Sequence, residues 1–488
     1  MAFKLYRSNF INDTEYRACM MTKLSLNVNR RHQPSARPLT TDMLAGPILT
    51  VMLRLALPTV AVLVVQTLVG VIETYFVSSL GADVLAGVAV VFPVLMLMQM
   101  MANGGIGGGL SSAVARASGA GRWQDAQALV WHGVIIAGVM GAAFAAIILI
   151  GGSTLYHLMG VNGPARSAAV AYSSVVFAGS PLIWVVALLS AALRGAGDTK
   201  TPARITLWGA AILLPLSPAL ILGWGPIPSF GVAGAGVAIL VYYLFSTLLL
   251  VRHMRSANSV IRLSPASLSL RLFKDILDVG LLSAIGTVQI NLTVAVVTAA
   301  VGRFGPDAIA GYGIASRLDY LQIPLLFGLG TAIMTMVGVN LGAGQVQRAQ
   351  RIAWIGAAVA FTFTELIGLS VAAYPHLWLT LFSADRAILT AGASYLQNVA
   401  PFYGAIGIGM ALYFAGQGAK RVLWPVLAGT ARMAIAAFAG WLAVTQFDAD
   451  LASLFTIVAL SAFAYGAITV VASLASGRTT RAAAPTII

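Results

Sequence analysis

Residues 127–151 read QALVWHGVIIAGVMGAAFAAIILIG, a stretch without a single Asp, Glu, Lys or Arg. About 20 mostly apolar residues suffice for a helix to cross the hydrocarbon core of a bilayer. A helix this long and this apolar has no polar stripe to turn toward water, so its solvent is lipid. The pattern recurs along the chain. Stretches of spanning length lie at about 51–79, 85–114, 127–151, 168–193, 203–224, 232–251, 276–301, 308–340, 352–374, 393–415, 424–446 and 453–475, which predicts twelve spans. Composition agrees. Of the 488 residues, 59% are hydrophobic and only 9% charged, where a soluble domain carries roughly 25% charged residues. Mean hydropathy is +0.88. These values exclude a soluble enzyme, a secreted domain and a nucleic-acid-binding module. The lone Cys19 excludes an intramolecular disulfide framework and a four-Cys zinc site. The five His show no ligand-like pairing, so no metal site is expected.

The basic residues set the orientation. Arg116, Arg122, Arg194, Lys200, Arg204, Arg252, Arg255, Arg262, Arg271, Lys274, Arg348, Arg351, Lys420, Arg421, Arg432, Arg478 and Arg481 are read in the even-numbered loops or at the carboxyl end. With Arg54 and the seven Lys and Arg before residue 45, that side collects 25 of the 29 basic residues. The other side holds Arg166, Arg303 and Arg386, and Arg317 lies within a span. Excess Lys and Arg mark cytoplasmic loops. Both termini are therefore expected in the cytoplasm, and a bacterial inner membrane is the expected location. Residues 1–45 read as a basic cytoplasmic tail without a signal-peptide core. The remaining boundaries are an N-lobe at 46–256, a cytoplasmic inter-lobe loop at 257–272, a C-lobe at 273–476 and a tail at 477–488. The 257–272 loop carries no core-forming pattern and is expected to cross the surface.

The two halves are duplicates. Gly119-Ala120-Gly121 with Gln124, Ala126 and Gln127 matches Gly342-Ala343-Gly344 with Gln347, Ala349 and Gln350 at an offset of 223. Gly195-Ala196, Pro202 and Tyr172 match Gly418-Ala419, Pro425 and Tyr395 at the same offset. Gly81, Asp83, Ala86 and Gly87 match Gly305, Asp307, Ala310 and Gly311 at 224. Six spans per repeat leave both halves the same way up. Parallel repeats are related by an axis along the membrane normal, with the substrate path between them. The fold expected is an all-α integral membrane protein: twelve transmembrane helices in two six-helix lobes related by a parallel pseudo-twofold.

Several motifs carry a family resemblance. Arg194-Gly195-Ala196-Gly197-Asp198-Thr199-Lys200-Thr201-Pro202 resembles the RGxGDTKTP loop of the MATE (multidrug and toxic compound extrusion) transporters of the MOP superfamily. Span 1 reads Ala56-Leu57-Pro58, Gln66-Thr67-Leu68 and Glu73-Thr74-Tyr75-Phe76-Val77, similar to the family's ALP…QTLYNIVDTxFVG with Glu for Asp. Gly231-Val232-Ala233-Gly234-Ala235, Ser316-Arg317-Leu318-Asp319-Tyr320 and Gly338-Val339-Asn340-Leu341-Gly342 also fit. The resemblance covers about residues 46–476. It implies a cation-coupled antiporter that exports organic, often cationic, compounds through a cleft between two lobes. The sequence departs from it in places. DinF-like members carry N-x-x-x-D in span 5, where Leu213 and Ser217 stand here. The family's Tyr-Asn pair in span 1 becomes Val69-Gly70. The acids that NorM-like members place in spans 7 and 10 are absent.

An ionisable residue inside a span is costly, so it suggests function. Glu73 matches the family's functional acid and is expected to carry the coupling ion, with Ser217 where a second acid would stand. Sodium needs several oxygen ligands, and burial favours the neutral form of a carboxyl, so a proton is expected rather than sodium. Pro58, four turns before Glu73, is expected to let span 1 bend. Gln66 lies on the Glu73 face of the helix and is a substrate-cavity candidate, as are Met96, Gln99, Gln289 and Asn291. Gln289 and Asn291 point roughly 200° apart, so at most one faces the cleft squarely. Met96 and its neighbours Met98, Met100 and Met101 suit a polyspecific pocket, although lipid contact or packing explains them more simply. Arg194, Asp198 and Pro202 are expected to act as a hinge or inner gate. Glu365, in span 9, is a secondary candidate whose plain role is a bond to a neighbouring helix. Asp319 is expected to pair with Arg317.

The expected function is proton-coupled export of organic drugs or toxic compounds by alternating access. Sodium coupling is one alternative. A flippase for lipid-linked glycans, known in the same superfamily, is another, but it favours several cations in the cavity and only Arg317 offers itself. No HExxH or paired-acid motif points to an enzyme. The expected partners are a small organic substrate and membrane lipids, the expected state is a monomer, and no cofactor beyond the coupling ion is expected.

Overall fold

The computed structural model describes residues 37–224 and 228–482. The first 36 residues of the tail assigned to 1–45, and the last six residues of the chain, lie outside that range. The spanning segments of the described chain are all helical, as hydrocarbon demands, because an unpaired backbone group there costs several kcal/mol (~2–7). Eleven continuous helices can span: Ile48–Ser78, Ala82–Gly119, Trp123–Leu158, Lys200–Leu222, Gly231–Arg255, Leu270–Gly302, Pro306–Gly342, Val346–Ala373, Arg386–Gly418, Leu423–Gln446 and Leu451–Ala475. A bent pair, Gly163–Ala178 and Ser180–Gly195, turns by 49° and makes the twelfth, span 4 in chain order. Side chains such as Ile150, Leu248 and Val471 are exposed on the outside, where lipid replaces water.

The duplication is physical. Span 4 bends at Gly179 and span 10 breaks at a tight turn over Ala400–Phe402, the same place in each repeat. The two lobes meet reciprocally. A Cβ on Gly119 would run into the Val339 carbonyl, and a Cβ on Gly342 would run into the Arg116 carbonyl. Arg116 and Val339 are themselves related by the 223-residue offset. This is a twofold contact within one chain, and only glycine lets the two backbones approach so closely.

The lobes also exchange helix ends. The first half of span 1 contributes Val51, Met52, Leu55 and Ala56 to a core built mainly by spans 8, 9 and 10, which Ala115 of span 2 also joins. The start of span 7 contributes Leu272 and Ile276 to the core of the first lobe.

Three boundaries need correction. Residues 37–45 are not tail but helix, Arg37–Ala45. Met43 is buried in the second lobe's core, and its carbonyl accepts from Asn340 Nδ2 at 3.1 Å. The 257–272 loop ends early, because the helix Leu270–Gly302 starts inside it, and it is anchored where it crosses the surface. Ile261 is buried in the first lobe's core, and Ser269 N donates to His132 Nε2 at 2.9 Å. Span 12's helix continues to Ala482, into the stretch assigned to the C-terminal tail. In the first two cases a short polar segment hides one apolar anchor, Met43 or Ile261, that composition does not reveal.

Candidate functional site

Inter-lobe bonds concentrate at the end that carries the basic loops. Arg116, from span 2, donates to Asp275 Oδ1 at 3.0 Å and to the Gly418 carbonyl at 3.3 Å. Lys420 joins the same cluster, 2.8 Å from Asp275 and 3.2 Å from Asp278. Thr335 Oγ1 donates to the Arg194 carbonyl at 3.2 Å. Slightly deeper, span 2 forms a π-helical turn over Met101–Ile106. Gln417 Nε2 reaches across to the Gly104 carbonyl there at 3.1 Å, and also lies 2.9 Å from Ser283 Oγ and from the Tyr413 hydroxyl. The basic end is thus closed.

The Arg194–Pro202 loop is built as a connector. Gly197, at φ +89°, ends span 4, and Asp198 Oδ1 accepts from Thr201 N at 3.0 Å to start span 5. Pro202 is buried. In the second repeat Lys420 takes the place of Gly197, at φ +58°. A non-glycine residue pays a steric penalty there, and the two carboxylates on its ammonium offset it. Burial pulls the Lys420 pKa down, but the bonds and charges of Asp275 and Asp278 outweigh it and hold the ammonium above its ordinary range.

Span 1 runs unbroken through Pro58 to Glu73. Glu73 Oε1 is buried without a hydrogen-bond partner. Its electrostatic neighbours are Tyr172 of span 4 and Tyr243 of span 6. One face of the helix earlier, Gln66 joins Thr206 and Ser246 around the Tyr242 hydroxyl. Ser217 is buried between Pro215 and Pro218 with its Oγ also unpartnered. Val69 and Leu213 fill the apolar floor between spans 1, 5 and 6.

The second lobe is arranged differently. Gln289 donates to Thr430 Oγ1 of span 11 at 2.7 Å, inside the lobe. Asn291 turns the other way, toward Met100 Sδ of span 2 at 3.6 Å. Met96 and Gln99 are half-buried on that same helix. Glu365 Oε2 accepts from Gly404 N at 2.7 Å, just after the break in span 10.

The expected Asp319–Arg317 pair does not form. Two residues apart on a helix, they point in nearly opposite directions. Arg317 is exposed, 5.4 Å over the Phe382 ring. Asp319 turns inward, and Tyr395 donates to its Oδ2 at 2.6 Å, while Oδ1 is buried without a partner. Tyr395 is the repeat mate of Tyr172, so each lobe sets this tyrosine beside an acid from a different span.

Arg432 also moves. It is not a loop residue but lies in span 11, within the helix Leu423–Met433. Its guanidinium stands 5.9 Å over the Tyr465 ring. The stretch 424–446 is apolar on both sides of it, a signal that the orientation count overrode.

Comparisons with known proteins agree with this geometry. The MatE family model matches residues 58–219 and 283–442, one segment in each lobe. The chain is 27% identical to the FAD transporter of Shewanella oneidensis, over 75% of this chain and 81% of that protein. It is 27% identical to the probable multidrug resistance protein NorM of Thermotoga maritima, over 77% and 81%. A MOP superfamily transporter from Pyrococcus furiosus has the same fold, with a TM-score of 0.82 at 23% identity, covering 90% of this chain and 98% of that one. Twelve spans in two repeated lobes, with both repeats matching one family, make this chain a member of the MatE family of transporters.

Proposed function

We propose that the protein exports organic drugs or toxic compounds in exchange for protons, with Glu73 as the proton carrier. The observation that carries the reading is the Glu73 carboxyl itself. It lies inside a span, one of its oxygens is buried and unpartnered, and its neighbours are tyrosines rather than a second carboxylate or a cation. A charged carboxylate so placed is costly. Protonation removes that cost and lowers the hold on a cationic cargo, so proton and cargo compete for one group. Relatives described as multidrug resistance proteins support this cargo class. The excess of Lys and Arg at the closed end supports a bacterial inner membrane with that end in the cytoplasm. The cleft then alternates by rocking one lobe against the other around the glycine contact.

Sodium is the competing ion, because Glu73 Oε1 and Ser217 Oγ are both unfilled oxygens in the same lobe. Uptake of a cationic dye into proteoliposomes separates the two. A pH gradient alone should drive transport in wild type and not in Glu73→Gln. Transport that requires sodium at fixed pH and ignores a pH gradient would overturn the proton reading.

A further inference from the structure

Arg432 is a cation that neither the coupling chemistry nor the closed basic end uses. It lies nine residues past Leu423, on the order of 14 Å along the helix axis. It is half-buried, and it makes no hydrogen bond and no ion pair with any described residue. A guanidinium presents five N–H donors, and losing its hydration inside a span is costly unless those donors are met. The Tyr465 ring meets only its face. Asp319 and Tyr312 of span 8 are electrostatic neighbours. Asp319 is not in ion-pair contact with Arg432, however, and Tyr395 already occupies one of its oxygens.

The repeat shows that the scaffold does not need a cation here. At the offset of 223, Arg432 corresponds to Gly209 and Tyr465 to Tyr242. In the first lobe the Tyr242 ring closes directly onto Gly209, where a Cβ would come within 2.6 Å of it. In the second lobe Tyr465 packs instead on Gly409 of span 10, which leaves its other face to Arg432. A π-helical turn, Ala434–Ala439, begins two residues later. Such turns inside α-helices are frequent at functional sites.

We propose that Arg432 binds the anionic group of the transported compound, so that the cargo includes aromatic carboxylates and zwitterions as well as plain cations. A guanidinium held flat by a ring grips a carboxylate through two parallel N–H···O bonds. The aromatic body of the compound then lies among the tyrosines of the same lobe. The inference rests on the reading of the chain as an exporter of organic compounds, but its test reads binding and needs no gradient.

The test uses two dyes that differ by one group: rhodamine 110, with a free carboxylate, and its methyl ester rhodamine 123. Binding to the full chain in phosphatidylcholine nanodiscs is followed by fluorescence polarisation. Wild type should prefer the acid by about tenfold or more, the scale of a charge-assisted bond. Arg432→Gln should erase that preference and leave ester binding unchanged. Arg432→Lys should keep part of it, and it carries the test if Arg432→Gln does not fold. Glu73→Gln should keep all of it while losing pH-driven transport, so failure of proton coupling and failure of this proposal are separate results. Equal binding of acid and ester by wild type would overturn the proposal, as would a preference unchanged in both Arg432 variants. A preference that phosphatidylglycerol in the nanodisc abolishes would also overturn it, because a lipid headgroup would then be the partner.

Discussion

In the first lobe Tyr242 rests on Gly209, and the charge is Glu73 on span 1. In the second lobe Tyr465 stands in the equivalent place, with Arg432 on span 11 over its ring, Asp319 on span 8 held by Tyr395, and Glu365 on span 9 bonded to Gly404 N. Gln66 and Gln289 also correspond at the 223-residue offset, as do Tyr172 and Tyr395. The duplicated backbone therefore keeps these tyrosines and this glutamine but not the charges set beside them. In one lobe the acid deep in a span, Glu73, has a buried oxygen without a hydrogen-bond partner. The other holds an acid engaged by tyrosine and a cation within electrostatic reach. A lone buried carboxyl responds to protonation with a full change of charge. An acid already fixed by a hydrogen bond and a nearby cation has less to gain from it. On that difference rests our proposal that coupling belongs to the first lobe.

The sharpest way to break this comparison is to neutralise each acid in turn. Glu73→Gln should reduce pH-driven dye transport in proteoliposomes to the protein-free baseline. Asp319→Asn and Glu365→Gln should leave it gradient-driven. Loss of coupling in Asp319→Asn with Glu73→Gln still active would move the ion site to the second lobe.

The closed basic end offers the next largest effect. Gly119→Leu and Gly342→Leu each push a side chain into a backbone carbonyl of the opposite lobe. Overpacking of this kind costs about 1–3 kcal/mol. Spin labels at Gln124 and Gln347, in the first turns of spans 3 and 9, should report longer and broader distances in either variant. An unchanged distance distribution would mean that the two lobes do not close through these glycines.

A smaller effect separates the two tyrosines. Tyr395→Phe removes the hydrogen bond to Asp319, which should cost about 1–3 kcal/mol in thermal unfolding. Tyr172→Phe, which loses no such bond to Glu73, should cost less. Equal losses would show that the two acids are held alike.

The smallest effect is at Lys420. Its folded pKa is raised, so the stability it contributes is present below its unfolded value of about 10.4. That contribution is lost as the pH rises through the higher folded value. Melting temperature should therefore fall more steeply in wild type than in Lys420→Gly above about pH 10.4. Parallel curves would show that the Asp275 and Asp278 contacts are too solvent-screened to matter.

Apolar runs, loop charges and a repeat offset were enough to read twelve spans, two lobes and the motif residues, because a bilayer forces each helix to be complete within its own segment. Glu73 was legible for the same reason, since an acid inside a span stands out against apolar neighbours. Partners were not legible. Helix phase alone turns Asp319 away from Arg317, but that it meets Tyr395 depends on which helix packs behind it. Arg432 reads in sequence as a loop charge, and only the tertiary structure sets it nine residues into span 11 and over the Tyr465 ring. The burial of Met43 and Ile261 was hidden because one apolar residue in a polar segment has no period to betray it. The sequence alone thus determined how many helices cross and how the halves repeat. Only the tertiary structure decided which side chains meet between helices, because those contacts join residues far apart in the chain and depend on angles that no single helix contains.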